Sequence, residues 1–427
     1  ELCPPWGSIM SDSSCLIVSS YESELQPIAA ASAVAALKRE GLNVQAWDAH
    51  MFPDDRPEGP FDLVLLSVQQ YAGLDRGIAL LDWLQDPSVA RQVVAFGQYA
   101  QMNSRAFMGR VDAIAMDEPE RISKGLADLA RGHAARHEIP GLFSRDGGKP
   151  RPPNSRMEWA SPDRAAFPPI TEYPAHNTKF GLMGNIEVSR GCHHKCTYCS
   201  VYGAYEGRFS PISVDAVVAD ALVLEEQGAE HFAFIDAEFF NSRKFGIEVV
   251  EAINATGRKP HTYEITTRVD HILQYPKEIK HLADLGLKVI TSALEFPSDR
   301  ILRIFDKGID IDDTRRAIAA AEDLGVVLNP TFIPFTPWVT YEELLGFEDF
   351  LEETGLSRVA APTVLQTRLL LFKGSPLLTS PWIEGVPLED RGFYFEWTHS
   401  DPRVEELWQE RRGEAVDVGE VRCCVKC

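Results

Sequence analysis

No apolar run in this chain approaches the roughly 18 residues that would mark a membrane span, and Pro4 and Pro5 stand where a signal peptide would carry its apolar stretch. A soluble, cytoplasmic protein without a membrane partner is expected. Basic residues are in short supply: 42 Lys and Arg face 63 Asp and Glu over 427 residues, a formal net charge of −21. Such a surface repels a phosphate backbone over most of its area, which argues against nucleic acid as a bulk partner and leaves only a local basic groove open to it. Nor are the eight cysteines spread as a disulfide framework. Cys3 and Cys15 stand apart and read as ordinary thiols, while three cysteines crowd into 192–199 and three into 423–427. In a large cytosolic chain, clustered thiols point to metal binding or catalysis before structural bridges.

What is present is an ordinary globular composition, 44% hydrophobic and 25% charged, enough for about two or three domains. From Cys15, the runs CLIVSS, NVQAWD, DLVLLSV, QVVAFG and DAIAM alternate with helical patterns over 29–40 and 77–84. That alternation predicts a parallel sheet covered by helices, so residues 13–140 read as a doubly wound α/β domain. Between 141 and 178, Pro150, Pro152, Pro153, Pro162, Pro168 and Pro169 break every period, and the segment reads as a surface linker. A second β–α series starts at GNIEVSR. Ser213 is the expected cap of a helix that Gly228 stops, and HFAFI, TYEITT, KVITSAL, VVLNPTFI and RVAAPTVL are the further strands. Five or six such units predict a complete or partial parallel barrel over 179–380, with its chemistry at the C-terminal strand ends. Residues 190–199, Asp236, Arg268, Glu295 and Pro334 are thereby candidates for one shared site. Residues 381–427 form an irregular, aromatic C-terminal extension.

In SRGCHHKCTYCS, Cys192, Cys196 and Cys199 fall at i, i+4 and i+7 after a strand, so one short loop can wrap a compact inorganic cluster. Thiolate is the natural ligand of iron–sulfur clusters, and three ligands on a four-iron cube leave one iron open. A zinc site with His193 or His194 as fourth ligand is the alternative on residues alone. The CxxxCxxC loop, with Tyr198 before its last cysteine, resembles that of the radical S-adenosylmethionine (SAM) family, and the resemblance covers about residues 14–380. It implies a 4Fe-4S cluster whose open iron chelates the methionine end of SAM, and an electron donor such as flavodoxin or ferredoxin. FIDAEFF is similar to the segment that places an acidic group on the SAM amino nitrogen, which implies Asp236 or Glu238 in that role. LEFPSDRILRIFDKGI is similar to a Glu-Ser-Gly-Ser segment followed by Lys-Gly; it keeps Glu295, Ser298, Lys307 and Gly308 but has Phe296 and Pro297 where small residues are common. FKGSPL is similar to a late Pro-Gly-Thr-Pro-Leu turn, with Gly374 and Pro376 retained. Arg268 is expected to pair with the SAM carboxylate in a bidentate fork. Tyr198, Asp236, Glu238, Arg268, Glu295 and Ser298 are thus the candidate SAM-binding residues, a barrel-end salt bridge being the alternative for any one of them.

A doubly wound, Rossmann-type domain ahead of such a barrel resembles the cobalamin-binding branch of the family, which implies methylation. Two details argue against cobalamin here. AFGQYAQM places Gln98 and Tyr99 after a single Gly97 where paired small residues would let a corrin ring approach. DAHMFP matches a cobalamin-ligating DxHxxG only superficially, since it follows the second strand and has Pro53 for glycine, so His50 reads as a loop histidine.

RCCVKC ends the chain with Cys423, Cys424 and Cys427, flanked by Arg422 and Lys426, whose charges favour thiolate. Three sulfurs so placed can close around one soft ion such as trivalent arsenic; a second iron–sulfur cluster, zinc, or a redox dithiol are the alternatives. The tail resembles the RCCLKC ending of a group of radical SAM enzymes that includes arsinothricin biosynthesis, with Val425 replacing Leu. That resemblance implies transfer of the 3-amino-3-carboxypropyl group of SAM to arsenite held by the tail, giving hydroxyarsinothricin. The other functions in view are a cobalamin-dependent radical SAM methyltransferase and a non-enzymatic arsenic- or metal-binding protein.

Overall fold

The computed structural model describes residues 13–148, 159–259, 261–360 and 362–413. The chain divides into two units, one ending at Pro169 and the other beginning at Ile170.

In the first unit the continuous apolar runs become strands with little polar alternation, as expected where both faces of a parallel sheet are covered. They are β1 (Ser14–Ser19), β2 (Asn43–Asp48), β3 (Leu63–Ser67), β4 (Val93–Phe96) and β5 (Ala113–Ala115). These pair in parallel in the order β2-β1-β3-β4-β5. The helices are α1 (Ile28–Arg39), α2 (Gly73–Leu84), the short α3 (Gln98–Met102) and α4 (Ser104–Phe107), and α5 (Ser123–Ala130). Alanines of α1 let it settle closely on the sheet, in a core with Cys15, Ile17, Leu65, Phe96 and Leu126. Each fully buried large aliphatic or aromatic side chain there contributes about 1.5–3 kcal/mol. Cys15 is wholly buried, and burial pushes its thiol far up, consistent with a packing role.

The domain boundary drawn at 140 is corrected. β6 (Leu142–Ser144) and β7 (Gly147–Gly148) add to the same sheet antiparallel, and two or three residues carry too little period to be read as strands. Asp163 also reaches back to Lys38 at 2.8 Å, and the buried Arg164 to Gln26 at 3.3 Å, so the end of the segment taken as linker is fastened to α1 and the loop before it.

The second unit holds β8 (Asn177–Thr178), β9 (Gly181–Ile186), the antiparallel pair β10 (Ser189–Gly191) and β11 (Phe209–Pro211), then β12 (His231–Phe234), β13 (Thr262–Thr266), β14 (Leu287–Glu295) and β15 (Val327–Phe332). A six-stranded sheet runs β15-β14-β13-β12-β9-β8, parallel except for β8, and is a half-barrel rather than a closed one. Its helices are α6 (Ser200–Tyr205), α7 (Val214–Glu226), α8 (Arg243–Ala255), α9 (Val269–Gln274), α10 (Pro276–Asp284), α11 (Asp299–Ile304), α12 (Ile311–Asp323), α13 (Tyr341–Glu353) and α14 (Pro402–Gly413). Ser213 caps α7 by accepting from the Ala216 N–H. Phe232, Phe234 and Tyr263 stack across β12 and β13 at 6.0–6.2 Å between rings, each pair adding about 0.5–1.5 kcal/mol beyond burial.

RVAAPTVL is not a strand. Gly355, at φ +71°, ends α13, and Leu356–Arg358 and Pro362–Gln366 are single 3₁₀ turns. A proline there has no N–H to give to a ladder. Later, β16 (Leu371–Phe372), β17 (Leu388–Asp390) and β18 (Tyr394–Trp397) form an antiparallel sheet that crosses the boundary drawn at 380. Arg368 lies 3.8 Å from the ring centroid of Trp397 and 4.1 Å from that of Trp408, with Glu405 at 2.9 Å. No helix among the described residues is long and apolar enough to cross a membrane.

Candidate active site

The site is built where β9 and β12–β14 end. After β9 the chain turns into β10 and the cysteine loop, and Asp236, just past β12, fixes that turn. Its carboxylate accepts from Val188 N at 3.0 Å, Ser189 N at 2.6 Å and Ser189 Oγ at 2.7 Å. Burial pushes the Asp236 carboxyl up to about 7 in spite of these hydrogen bonds. Gly191 then takes φ +88°, where a Cβ would collide with the Arg208 carbonyl oxygen and the Tyr205 ring. Asn241 holds the other side, donating to Gly191 O at 3.2 Å and accepting from His193 N at 3.4 Å.

Cys192 and Cys196 are 9% and 8% exposed, and Cys199 is half-buried. Burial pushes the Cys192 thiol up to about 12 and raises that of Cys199, so these two thiols keep their protons until metal draws them off. Cations wait for that charge. Arg268 Nη1 lies 3.2 Å from Cys196 Sγ, and its guanidinium is clamped by Asp270 at 2.8 Å and by the Lys307 carbonyl. Burial opposes the Arg268 charge, but Cys196 and Asp270 outweigh it and hold the group above its ordinary value. Three thiols on one loop, with a fixed cation on one sulfur, suit an iron–sulfur cluster.

The loop is also held from behind. Thr197 donates its N–H to Phe305 O at 3.1 Å and its Oγ1 to Ile304 O at 2.9 Å. Its carbonyl accepts from Ser375 Oγ at 2.7 Å and Leu377 N at 2.9 Å, so the late FKGSPL turn clamps the cysteine loop. Tyr198 packs on Phe305 with ring centroids 4.4 Å apart and donates its hydroxyl to Glu295. Glu295 sits at φ +63° beside a register shift in β14 and pairs with Lys307 at 2.9 Å. A non-glycine residue in that region is a strained conformation that its surroundings must hold.

Five of the six candidate SAM-binding residues thus converge around the loop, but their carboxylates and guanidinium are already engaged. Asp236 is committed to the backbone at 188–189. Glu238 accepts from Thr267 Oγ1 at 2.6 Å, Arg268 N at 2.8 Å and Phe240 N at 2.9 Å, with His271 Nδ1 at 3.1 Å. Ser298 bonds instead to Glu343 of α13 at 2.7 Å. His194, offered above as a zinc ligand, turns its ring to His271 at 5.1 Å, and its ligand atoms, those of His271 and those of Glu238 lie within 4.8 Å of one another. Burial, with Arg268 and His193 nearby, brings the His194 imidazole down to about 4. Asn241, Thr197, Ser375 and His271 escaped sequence reasoning, because a side chain bonding to a residue distant in sequence leaves no spacing to read. Cys423, Cys424 and Cys427 lie outside the described residues.

In the first unit Tyr99 is buried after β4, edge-on to Tyr71 at 6.3 Å, and the His50 ring lies against Tyr21 at 4.9 Å, with its Nε2 3.8 Å from Glu24.

The family model of the Radical SAM superfamily matches residues 186–351. An uncharacterized methyltransferase of Pyrococcus horikoshii is 27% identical over 55% of this chain and 51% of its own length. The chain spans about half, or less, of the length of the curated relatives it matches. The cobalamin-dependent SAM radical enzyme OxsB, solved with aqua-cobalamin and SAM bound, shares the fold at a TM-score of 0.71 and 14% identity, over 94% of this chain and 66% of OxsB. The radical SAM methyltransferase TsrM of Kitasatospora setae, solved with tryptophan substrate and a SAM analogue, has a TM-score of 0.66 at 17% identity, over 85% of this chain and 74% of TsrM. The doubt cast on cobalamin from Gln98 and Tyr99 finds no support in these likenesses.

Proposed function

Because residues 186–351 carry a radical SAM domain, we propose that the protein reductively cleaves SAM and transfers its 3-amino-3-carboxypropyl group to trivalent arsenic, forming the C–As bond of hydroxyarsinothricin. The observation that carries the first half is the buried cysteine loop with Arg268 on Cys196. The RCCVKC tail, on the same chain, supports the second half.

Cys192, Cys196 and Cys199 would hold the cluster, which supplies, when bound and charged by a flavodoxin or ferredoxin, the electron that cleaves the SAM carbon–sulfur bond to release methylthioadenosine, and would take one electron back as arsenic passes from the trivalent to the pentavalent state on gaining its bond to carbon. Glu238 would take the SAM ammonium by giving up His271, the longest of its four contacts. Tyr198, Glu295 and Lys307 hold the wall beside the loop in one geometry. Cys423, Cys424 and Cys427 would present arsenic from arsenite with its lone pair free, since three thiolates leave one face open.

A second reading, methyl transfer with cobalamin in the first unit, is supported by the methyltransferase relatives and the fold likeness to OxsB.

The test is mass analysis of products from the reduced, reconstituted protein with SAM, with and without arsenite. Methylthioadenosine and an arsenic-bearing amino acid, both absent in Cys196→Ala, are expected. Cys424→Ala should still cleave SAM but release no arsenic product. Bound corrinoid with 5′-deoxyadenosine, indifferent to arsenite, would favour the second reading.

A further inference from the structure

We propose that Arg268 sets the reduction potential of the cluster by hydrogen-bonding the Cys196 sulfur, rather than serving as the partner of the SAM carboxylate. This rests on the reading of Cys192, Cys196 and Cys199 as cluster ligands. Asp270 takes Nε at 2.8 Å and Nη2 at 3.4 Å, the Lys307 carbonyl also takes Nη2, and Nη1 points to Cys196 Sγ at 3.2 Å. A planar guanidinium held at two of its three nitrogens has its third direction fixed. That direction is the sulfur.

The neighbouring cation does not do the same work. Lys307 gives its ammonium to the Glu295 carboxylate at 2.9 Å. Arg268, although paired with Asp270 at 2.8 Å, keeps an N–H directed at one sulfur. Reduction adds one negative charge to the cluster and its thiolates, and an N–H donor with a positive charge favours the more negative state. Removing it makes the cluster harder to reduce.

The experiment is an EPR-monitored redox titration, with dithionite as reductant, of the reconstituted full chain without SAM. Arg268→Gln is expected to shift the one-electron equilibrium about tenfold toward the oxidised cluster, about 59 mV more negative. Arg268→Lys, which keeps charge but loses the fork, should shift the same way by less. That milder variant carries the test if Arg268→Gln takes up no iron. Unchanged potentials in all variants that hold the cluster would overturn the assignment, as would a shift seen only after SAM is added, which would give Arg268 to the SAM carboxylate. A wild-type chain with no four-iron signal would overturn the cluster reading itself.

Discussion

Lys307 places its ammonium 2.9 Å from the Glu295 carboxylate with only 3% and 2% of the two side chains exposed. The pair joins the end of β14 to the segment after α11. Breaking one half strands the other charge out of water, which costs about 3–5 kcal/mol. Lys307→Met should lower the urea midpoint accordingly, and Lys307→Met with Glu295→Gln, which keeps an acceptor for the Tyr198 hydroxyl, should recover most of the loss. A double variant as unstable as the single one would contradict this account.

Asp236 makes stability depend on pH with a definite sign. An unfolded Asp ionises near 3.9, whereas burial holds the folded one at about 7. Between those values the unfolded chain gives up its proton first, so this group's contribution is full below about pH 4 and is lost as pH rises to 7. Asp236→Asn removes that slope and sets an amide N–H against a backbone donor, at a cost of about 1–3 kcal/mol. Urea titrations of the apo protein should show the gap between wild type and variant narrowing from pH 4 to pH 7.

Gly191→Ala should disable the loop without touching a cysteine. The positive φ and the collision with Arg208 O together cost about 1–3 kcal/mol or more of local strain. Iron bound per chain after reconstitution should fall severalfold, while far-ultraviolet circular dichroism stays that of the folded protein.

Ser375→Ala removes one of the two donors to Thr197 O. Leu377 N remains, so the expected cost is about 1 kcal/mol, with faster loss of iron to a chelator as the measured sign. Ser375→Thr, which keeps the hydroxyl, should restore the wild-type rate.

The parallel sheets were legible because strands covered on both faces write themselves as unbroken apolar runs, as in DLVLLSV and HFAFI. The cysteine loop was legible because its ligands are local. RVAAPTVL misled because its apolar content outweighed Pro362, and β6 and β7 are too short to show a period. Arg268 and Asp236 were found as polar residues at strand ends, and Glu238 through the likeness of FIDAEFF to a family segment. Their actual partners were not, since Val188, Cys196 and Lys307 lie 39 to 72 residues away and obey no helical or strand spacing.

The clamp on Thr197 also sets an order of assembly. A nascent chain reaches Thr197 178 residues before Ser375, so the three thiols leave the ribosome long before their last fastening is synthesised. Iron delivered early meets a loose loop, and iron delivered after Leu377 has docked meets a finished one; maturation of this protein is a matter of timing as much as of affinity.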